Sequence, residues 1–167
     1  QPPGRVRRSH VIFFYCIKIL NRIIFKIKEH TIFIINYLHY NDSDVNQTMQ
    51  AISDTIITFE DLIGDYPYST LTVVQSNFLH GGMEYPNLVL ISDEVHKRED
   101  YLNVVVHEIA HQWFYGIIGN DEYKEAWLDE GLTEYSTALF FEINPQYGIE
   151  YSEIIGTMLT SYQLFVD

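Results

Sequence analysis

Apolar and polar positions alternate between two rhythms along this chain. Residues 31–38, TIFIINYL, are almost continuously apolar and rich in Ile, Phe and Tyr, which predicts a buried strand. The polar run 41–44, NDSD, follows as a turn and helix-start signal. From Val45 onward, Met49, Ile52, Ile56, Phe59 and Ile63 recur at steps of three and four. That spacing marks one face of a helix, with Gly64 as its stop. Residues 65–68, DYPY, read as a turn and 70–76, TLTVVQS, as a strand. A Gly-rich loop, GGMEYP, is expected over 81–86, and a strand, NLVLIS, over 87–92. The polar stretch 93–100 connects to a helix over about 101–115, with Gly116 near its end. Residues 119–123 form a loop, and a second helix is expected over 126–142, ended by Asn144 and Pro145. A last helical pattern covers 150–165. Strands come largely before helices, which predicts an α+β domain.

At 167 residues the chain fits one domain, and 47% hydrophobic residues suffice for a core. Charge divides it in two. Residues 1–40 carry seven of the ten basic groups and a net charge of +6, whereas 41–167 carry a net of −19. The acidic part argues against nucleic acid as a partner, because that needs positive surface. Two segments are expected: a basic, apolar lead-in, 1–29, of unassigned role, and one main domain, 30–167. The apolar run 11–17 in the lead-in is only seven residues long before Lys18. A bilayer span needs about 20, so a membrane anchor through 1–28 is the less favoured expectation. The single Cys16 excludes an internal disulfide and fits a reducing, cytoplasmic setting, with membrane association as the alternative.

The chemistry concentrates in VVVHEIAHQWF, residues 104–114. Each helical residue turns about 100° and rises about 1.5 Å. His107 and His111 therefore stand one turn apart on one side, and their imidazoles can converge on one ion. Glu108 lies about 100° round the helix from His107, offset from the ion but near enough to reach a water beside it. Two His and a Glu can also be ordinary helix residues. Here they sit among Val, Ile, Trp and Phe, where burial is costly unless they are paired or ligated. A catalytic zinc takes three protein ligands and leaves one position open. AWLDEGLTEY, residues 126–135, offers Asp129, Glu130 and Glu134. Glu130 is preferred, because the eighteen residues after His111 allow a loop and a returning helix. Asp129 reads as a helix-start residue or a solvated acid. Glu134, one turn beyond Glu130, is either a hydrogen-bond partner to a ligand imidazole or a surface acid.

His-Glu-x-x-His, eighteen residues and then the Glu of WLDEG resemble the gluzincin metallopeptidases of the aminopeptidase N and leukotriene hydrolase type. GGMEYP is similar to that family's Gly-x-Met-Glu-Asn exopeptidase motif, with twenty-two residues between Glu84 and His107. The resemblance covers roughly residues 45–145. It implies a thermolysin-like zincin catalytic domain, a small sheet followed by zinc-binding helices, here incomplete. It further implies one Zn2+ held by His107, His111 and Glu130, with Glu108 as general base. Glu84 would bind the free α-amine of a peptide, and Gly81, Gly82 and Met83 would line the extended substrate. The motif departs from the family in Tyr85, where Asn is commoner. The family's transition-state tyrosine would fall beyond Asp167, so the isolated chain is expected to turn over slowly; losing such a donor typically costs about a hundred- to a thousand-fold. Two alternatives stand beside this reading: a thermolysin-type endopeptidase, and a catalytically impaired fragment acting as a binding or structural protein.

The remaining candidates are weaker. His80 precedes the Gly-rich loop and His96 sits in a charged connector, while His10, His30 and His39 lack ligand spacing. Trp113 and Trp127 are expected as core anchors flanking the metal helices.

Overall fold

Phe33, Ile35 and Tyr37 are fully buried while Ile34, Asn36 and Leu38 between them are only partly covered. This two-residue rhythm makes Thr31–Leu38 (β3) a strand with one face in the core. The structure, a computed structural model, describes residues 13–17, 20–28, 31–77, 79–150, 152 and 154–156, with side chains from Phe33 onward. Upstream, Phe13–Ile17 (β1) and Leu20–Lys28 (β2) extend the sheet from β3 by antiparallel pairing. The rest of the lead-in lies outside the described residues. No helix among the described residues is long and apolar enough to cross a membrane.

Asp44 caps the next element, Val45–Leu62 (α1), its carboxylate accepting the Gln47 N–H at 3.0 Å. The apolar stripe of α1 is buried from Met49 to Phe59. The helix ends where Ile63 and Gly64 both donate to the Phe59 carbonyl, and Gly64 takes φ +151°, a value that favours glycine. Thr70–Ser76 (β4) and Leu88–Ser92 (β6) run parallel to β3. Between them Gly82–Met83 (β5) pairs antiparallel with Ile91 and Leu90 of β6. The sheet order is β1-β2-β3-β4-β6-β5. The Gly-rich segment, expected to be a loop, thus contributes a short edge strand. With almost no side chains of its own to pack, it is held by backbone pairing, which sequence periodicity cannot reveal.

Arg98–Ala110 (α2) starts three residues before the expected position and ends five earlier. Its start is fixed by Arg98, whose guanidinium donates to Asp42 at 2.8 Å, Gln47 at 2.7 Å and both the Asp44 carbonyl and Thr48 hydroxyl at 2.9 Å. These contacts tie the first turn of α2 to that of α1. Its end tightens: Gln112 and Trp113 donate three residues back, to Ile109 and Ala110, and Tyr115 takes φ 141°. Gly116 then donates to the His111 carbonyl.

Glu122–Ile143 (α3) begins four residues before the expected start and carries a kink at Glu125, φ −133° and ψ 32°. Asn144 ends it by donating to Phe140, and Pro145–Tyr147 form a 3-10 turn. Of the last expected helix, Glu150 is not helical, Ser152 and residues 154–156 are helical, and the remainder lies outside the described residues. α2 packs against β6, α1 and α3. The interior between them is aromatic: Phe59 meets Trp113 edge-on at 5.5 Å and Phe140 at 6.3 Å.

Candidate metal centre

His107 lies in the last turn of α2. His111, expected inside the helix, is its C-cap residue. It keeps right-handed helical angles, φ −59° and ψ −16°, and its N–H bonds the His107 carbonyl at 3.3 Å. The one-turn relation between the two imidazoles therefore survives the earlier helix end. Their Nε2 atoms stand 3.2 Å apart. Glu130, on α3 beyond the kink, brings Oε2 to 3.2 Å from His107 Nε2 and 3.5 Å from His111 Nε2.

These three separations test whether a metal fits. Donors about 2.0–2.1 Å from a tetrahedral zinc stand about 3.3–3.4 Å from one another. The observed edges of 3.2, 3.2 and 3.5 Å describe one face of such a tetrahedron. The donor set, two imidazoles and one carboxylate, is that of a catalytic zinc site with one position open. Among the described residues these three form the cluster able to hold an ion.

Each imidazole is held from behind. His107 Nδ1 lies 2.9 Å from Glu134 Oε2. His111 Nδ1 lies 3.1 Å from the Phe114 carbonyl, which can only accept, and 3.2 Å from the Thr133 hydroxyl. In their neutral forms both rings thus carry hydrogen on Nδ1 and turn the Nε2 lone pair to the centre. Burial alone would lower the pKa of His107, but its bonds to Glu130 and Glu134, with the charge of Glu108, raise it to about 10. His111 is raised in the same way, its burial outweighed by Glu130. The two imidazoles hold Glu130 well below the usual carboxylate range.

Glu108 points elsewhere. Its side chain is buried, and Oε2 has no hydrogen-bond partner. Burial pushes its carboxyl up to about 7, against the lowering pull of His107 and His111, and the Glu84 charge adds to the rise. It packs on the β5 backbone: a Cβ built on Gly82 would stand 2.1 Å from Glu108 Oε1. Gly81 is exposed, while Gly82, Met83 and Glu84 are partly covered.

Residues 45–163 match the peptidase family M1 domain. The chain belongs to that family. It is 31% identical over 101 residues to leucine aminopeptidase 2 of Candida glabrata, covering 58% of this chain and 15% of that protein. It is 35% identical over 98 residues to human aminopeptidase B, covering 54% of this chain and 15% of that protein. Against leukotriene A-4 hydrolase of Xenopus laevis it is 35% identical over 79 residues, covering 46% and 13%. Among solved structures, an M1 zinc metallopeptidase from Deinococcus radiodurans superposes with TM-score 0.62 at 18% identity, over 86% of this chain and 33% of that one. Yeast LTA4 hydrolase in complex with bestatin gives 0.55 at 25%, over 65% and 18%. The M1 chain thus has the mixed α+β architecture of these peptidases and spans less than a fifth of the length of the curated relatives it matches.

Two expectations about neighbouring residues need correction, those for Asp129 and Trp127. Asp129 is neither a helix start nor solvated. It is buried within α3 and accepts from Asn120 Nδ2 at 2.9 Å, so the acid closes the loop ahead of the helix. Trp113 is buried and donates to the Gly64 carbonyl at 2.9 Å, but Trp127 is 71% exposed. It follows the Glu125 kink, on a first stretch of α3 that is exposed at Tyr123, Lys124, Glu125 and Ala126. His80 and His96 are both exposed.

Sequence reasoning missed Gln112, Thr133 and the Gly82–Glu108 contact. Gln112 left a signal, as one more polar residue inside the apolar stretch 104–114. Thr133 left none.

Proposed function

We propose that this M1 chain carries the catalytic centre of a zinc-dependent aminopeptidase that removes N-terminal residues from peptides. The observation that carries the reading is the tetrahedral spacing of His107, His111 and Glu130. His107, His111 and Glu130 hold one zinc ion. When bound, zinc supplies Lewis-acid polarisation of the scissile carbonyl and lowers the pKa of water. Glu108 Oε2 takes the proton of the attacking water and returns it to the leaving amine. Its buried setting supports this role: a carboxyl brought up to about 7 can both accept and release a proton near neutrality.

Glu84 follows β5 directly and pairs with the substrate's free α-ammonium, which limits the enzyme to the first peptide bond. The edge position of β5 supports a substrate strand laid along Gly81, Gly82 and Met83, where glycines let two backbones approach. The partners are peptides with a free N-terminus. The acid excess of residues 41–167 disfavours nucleic acid.

The test combines elemental analysis of the purified protein with cleavage of leucine p-nitroanilide and its N-acetylated form. One zinc per chain is expected, with cleavage of the free-amine substrate alone. Equal cleavage of both substrates would favour the thermolysin-type endopeptidase. Glu108→Gln should keep zinc and lose about a hundred-fold or more in turnover. Unchanged turnover in that variant would remove Glu108 from the chemistry.

A further inference from the structure

Gln112 stands one residue past His111, and its side chain is fully buried. Nothing in the metal chemistry above uses it. Its amide crosses to the segment that follows β5. Oε1 accepts the Asn87 N–H at 2.7 Å, and Nε2 donates to the carbonyls of Tyr85 at 3.2 Å and Glu84 at 3.4 Å. One side chain thus occupies three backbone groups of a four-residue segment.

That segment is a tight turn, held on its other side by the sheet. Leu88 N–H closes on the Tyr85 carbonyl at 2.9 Å. Asn87 sits at φ 66°, in the left-handed region that Asn tolerates better than most residues. On the sheet side Asn87 accepts from Thr70 Oγ1 at 3.1 Å and from Thr72 N–H at 3.1 Å. Upstream, Gly81 accepts from Ser92 N–H at 2.9 Å and Met83 pairs with Leu90. The backbone at Glu84 is therefore pinned between a strand pair on one side and Gln112 on the other.

We infer that Gln112 is a positioning residue: it fixes the spacing between the Glu84 carboxylate and the metal ligands, and so sets a peptide's ammonium one residue from the scissile bond. The inference rests on the aminopeptidase reading above. Gln112 is joined to His111 by a single peptide bond and to the turn by three hydrogen bonds. A shift of the turn relative to His111 therefore has to break contacts with a buried amide. Breaking them leaves buried donors and acceptors unpaired, which costs more than the bonds contribute when made.

The test uses the zinc-loaded full chain with Gln112→Leu and Gln112→Glu. Deuterium exchange of residues 84–88, zinc stoichiometry, and KM and kcat on leucine p-nitroanilide are measured together. For Gln112→Leu, exchange over 84–88 should rise about tenfold and KM about tenfold, while zinc content and exchange over α2 stay unchanged and kcat moves less than KM. Gln112→Glu keeps the acceptor for Asn87 but loses both donated bonds, so it should fall between wild type and Gln112→Leu. It decides the matter by the same readouts where Gln112→Leu fails to fold. Unchanged exchange, a loosened turn with unchanged KM, or a loss of zinc parallel to the loss of kcat would each overturn the inference. Equal cleavage of the N-acetylated substrate by the unsubstituted chain would sink the reading beneath it, and no variant is needed to see that.

Discussion

The carboxylate of Glu108 and the backbone of Gly82 occupy adjoining space with no room for a methyl group between them. A Cβ on Gly82 would stand 2.1 Å from Oε1, 2.3 Å from Cδ and 2.4 Å from Cγ of Glu108. Glycine at this position is a steric requirement of the acid. Gly82→Ala should push Glu108 out of place or move β5, at a cost of about 1–3 kcal/mol in stability. Turnover should fall about a hundred-fold while zinc is retained, because the three ligands lie on other atoms. Gly119→Ala is the control: a Cβ there would meet nothing within 4 Å. Thermal melts, zinc content and peptidase assays of the two variants compare them directly. Equal behaviour of the two would show that the contact does not matter.

The two tryptophans should separate just as clearly. Trp113 is buried against Phe59 and Tyr66 and donates to the Gly64 carbonyl. Trp113→Ala should cost about 3–5 kcal/mol. Trp127, largely exposed, should tolerate Ala within about 0.5 kcal/mol. Denaturant unfolding of both variants checks the pair, and a large loss for Trp127→Ala would contradict its exposed position.

The contrast between these tryptophans marks the limit of what the sequence discloses. Strands 31–38 and 70–76 were legible as short runs rich in β-branched and aromatic residues, and the helix from Val45 as one apolar stripe at steps of three and four. The spacing of His107, His111 and Glu130 was legible because a helix turn and a return loop leave few places for a third donor. What could not be read depended on contacts between distant segments. Arg98 draws the start of α2 back to the first turn of α1 through four hydrogen bonds, and no local propensity announces that. Trp127, two residues past the kink at Glu125, is exposed, although its sequence neighbourhood looks the same as that of a core residue. Asp129 is buried because Asn120, nine residues earlier, donates to it. β5 is a strand only because β6 lies beside it.

Glu134 was the acid for which two roles stood level in the sequence. The structure brings its Oε2 to 2.9 Å from His107 Nδ1, on the side of the ring away from Glu130. A carboxylate there fixes the ring's orientation and keeps hydrogen on Nδ1. Glu134→Ala should weaken zinc binding by about 10–100-fold with the fold intact. Competition against a chelator of known affinity measures this, with circular dichroism to report the helices. Undiminished affinity would return Glu134 to the status of a surface acid.

Acid and base act on this centre in opposite directions depending on whether metal is present. In the metal-free chain the folded state raises His107 from the ordinary 6.5 to about 10, through the carboxylates on both ring nitrogens. A raised pKa of this kind stabilises the fold fully below about pH 6.5, and the contribution disappears as pH climbs through about 10. Glu108, raised from 4.5 to about 7 by burial, acts in the same sense, because its folded state favours the proton. Glu130, lowered by the two imidazoles, adds stability above pH 4.5 that is lost only in stronger acid. Stability of the metal-free protein should therefore be greatest near pH 5–6 and decline toward pH 9. Zinc reverses the trend, since His107 and His111 must give up protons before they can ligate. The rise in melting temperature on adding zinc should grow from pH 6 to pH 9, and calorimetry in buffers of different ionisation enthalpy should detect protons released on binding. A zinc-induced shift that is flat across this range, with no proton release, would mean that the two imidazoles are not the ligands.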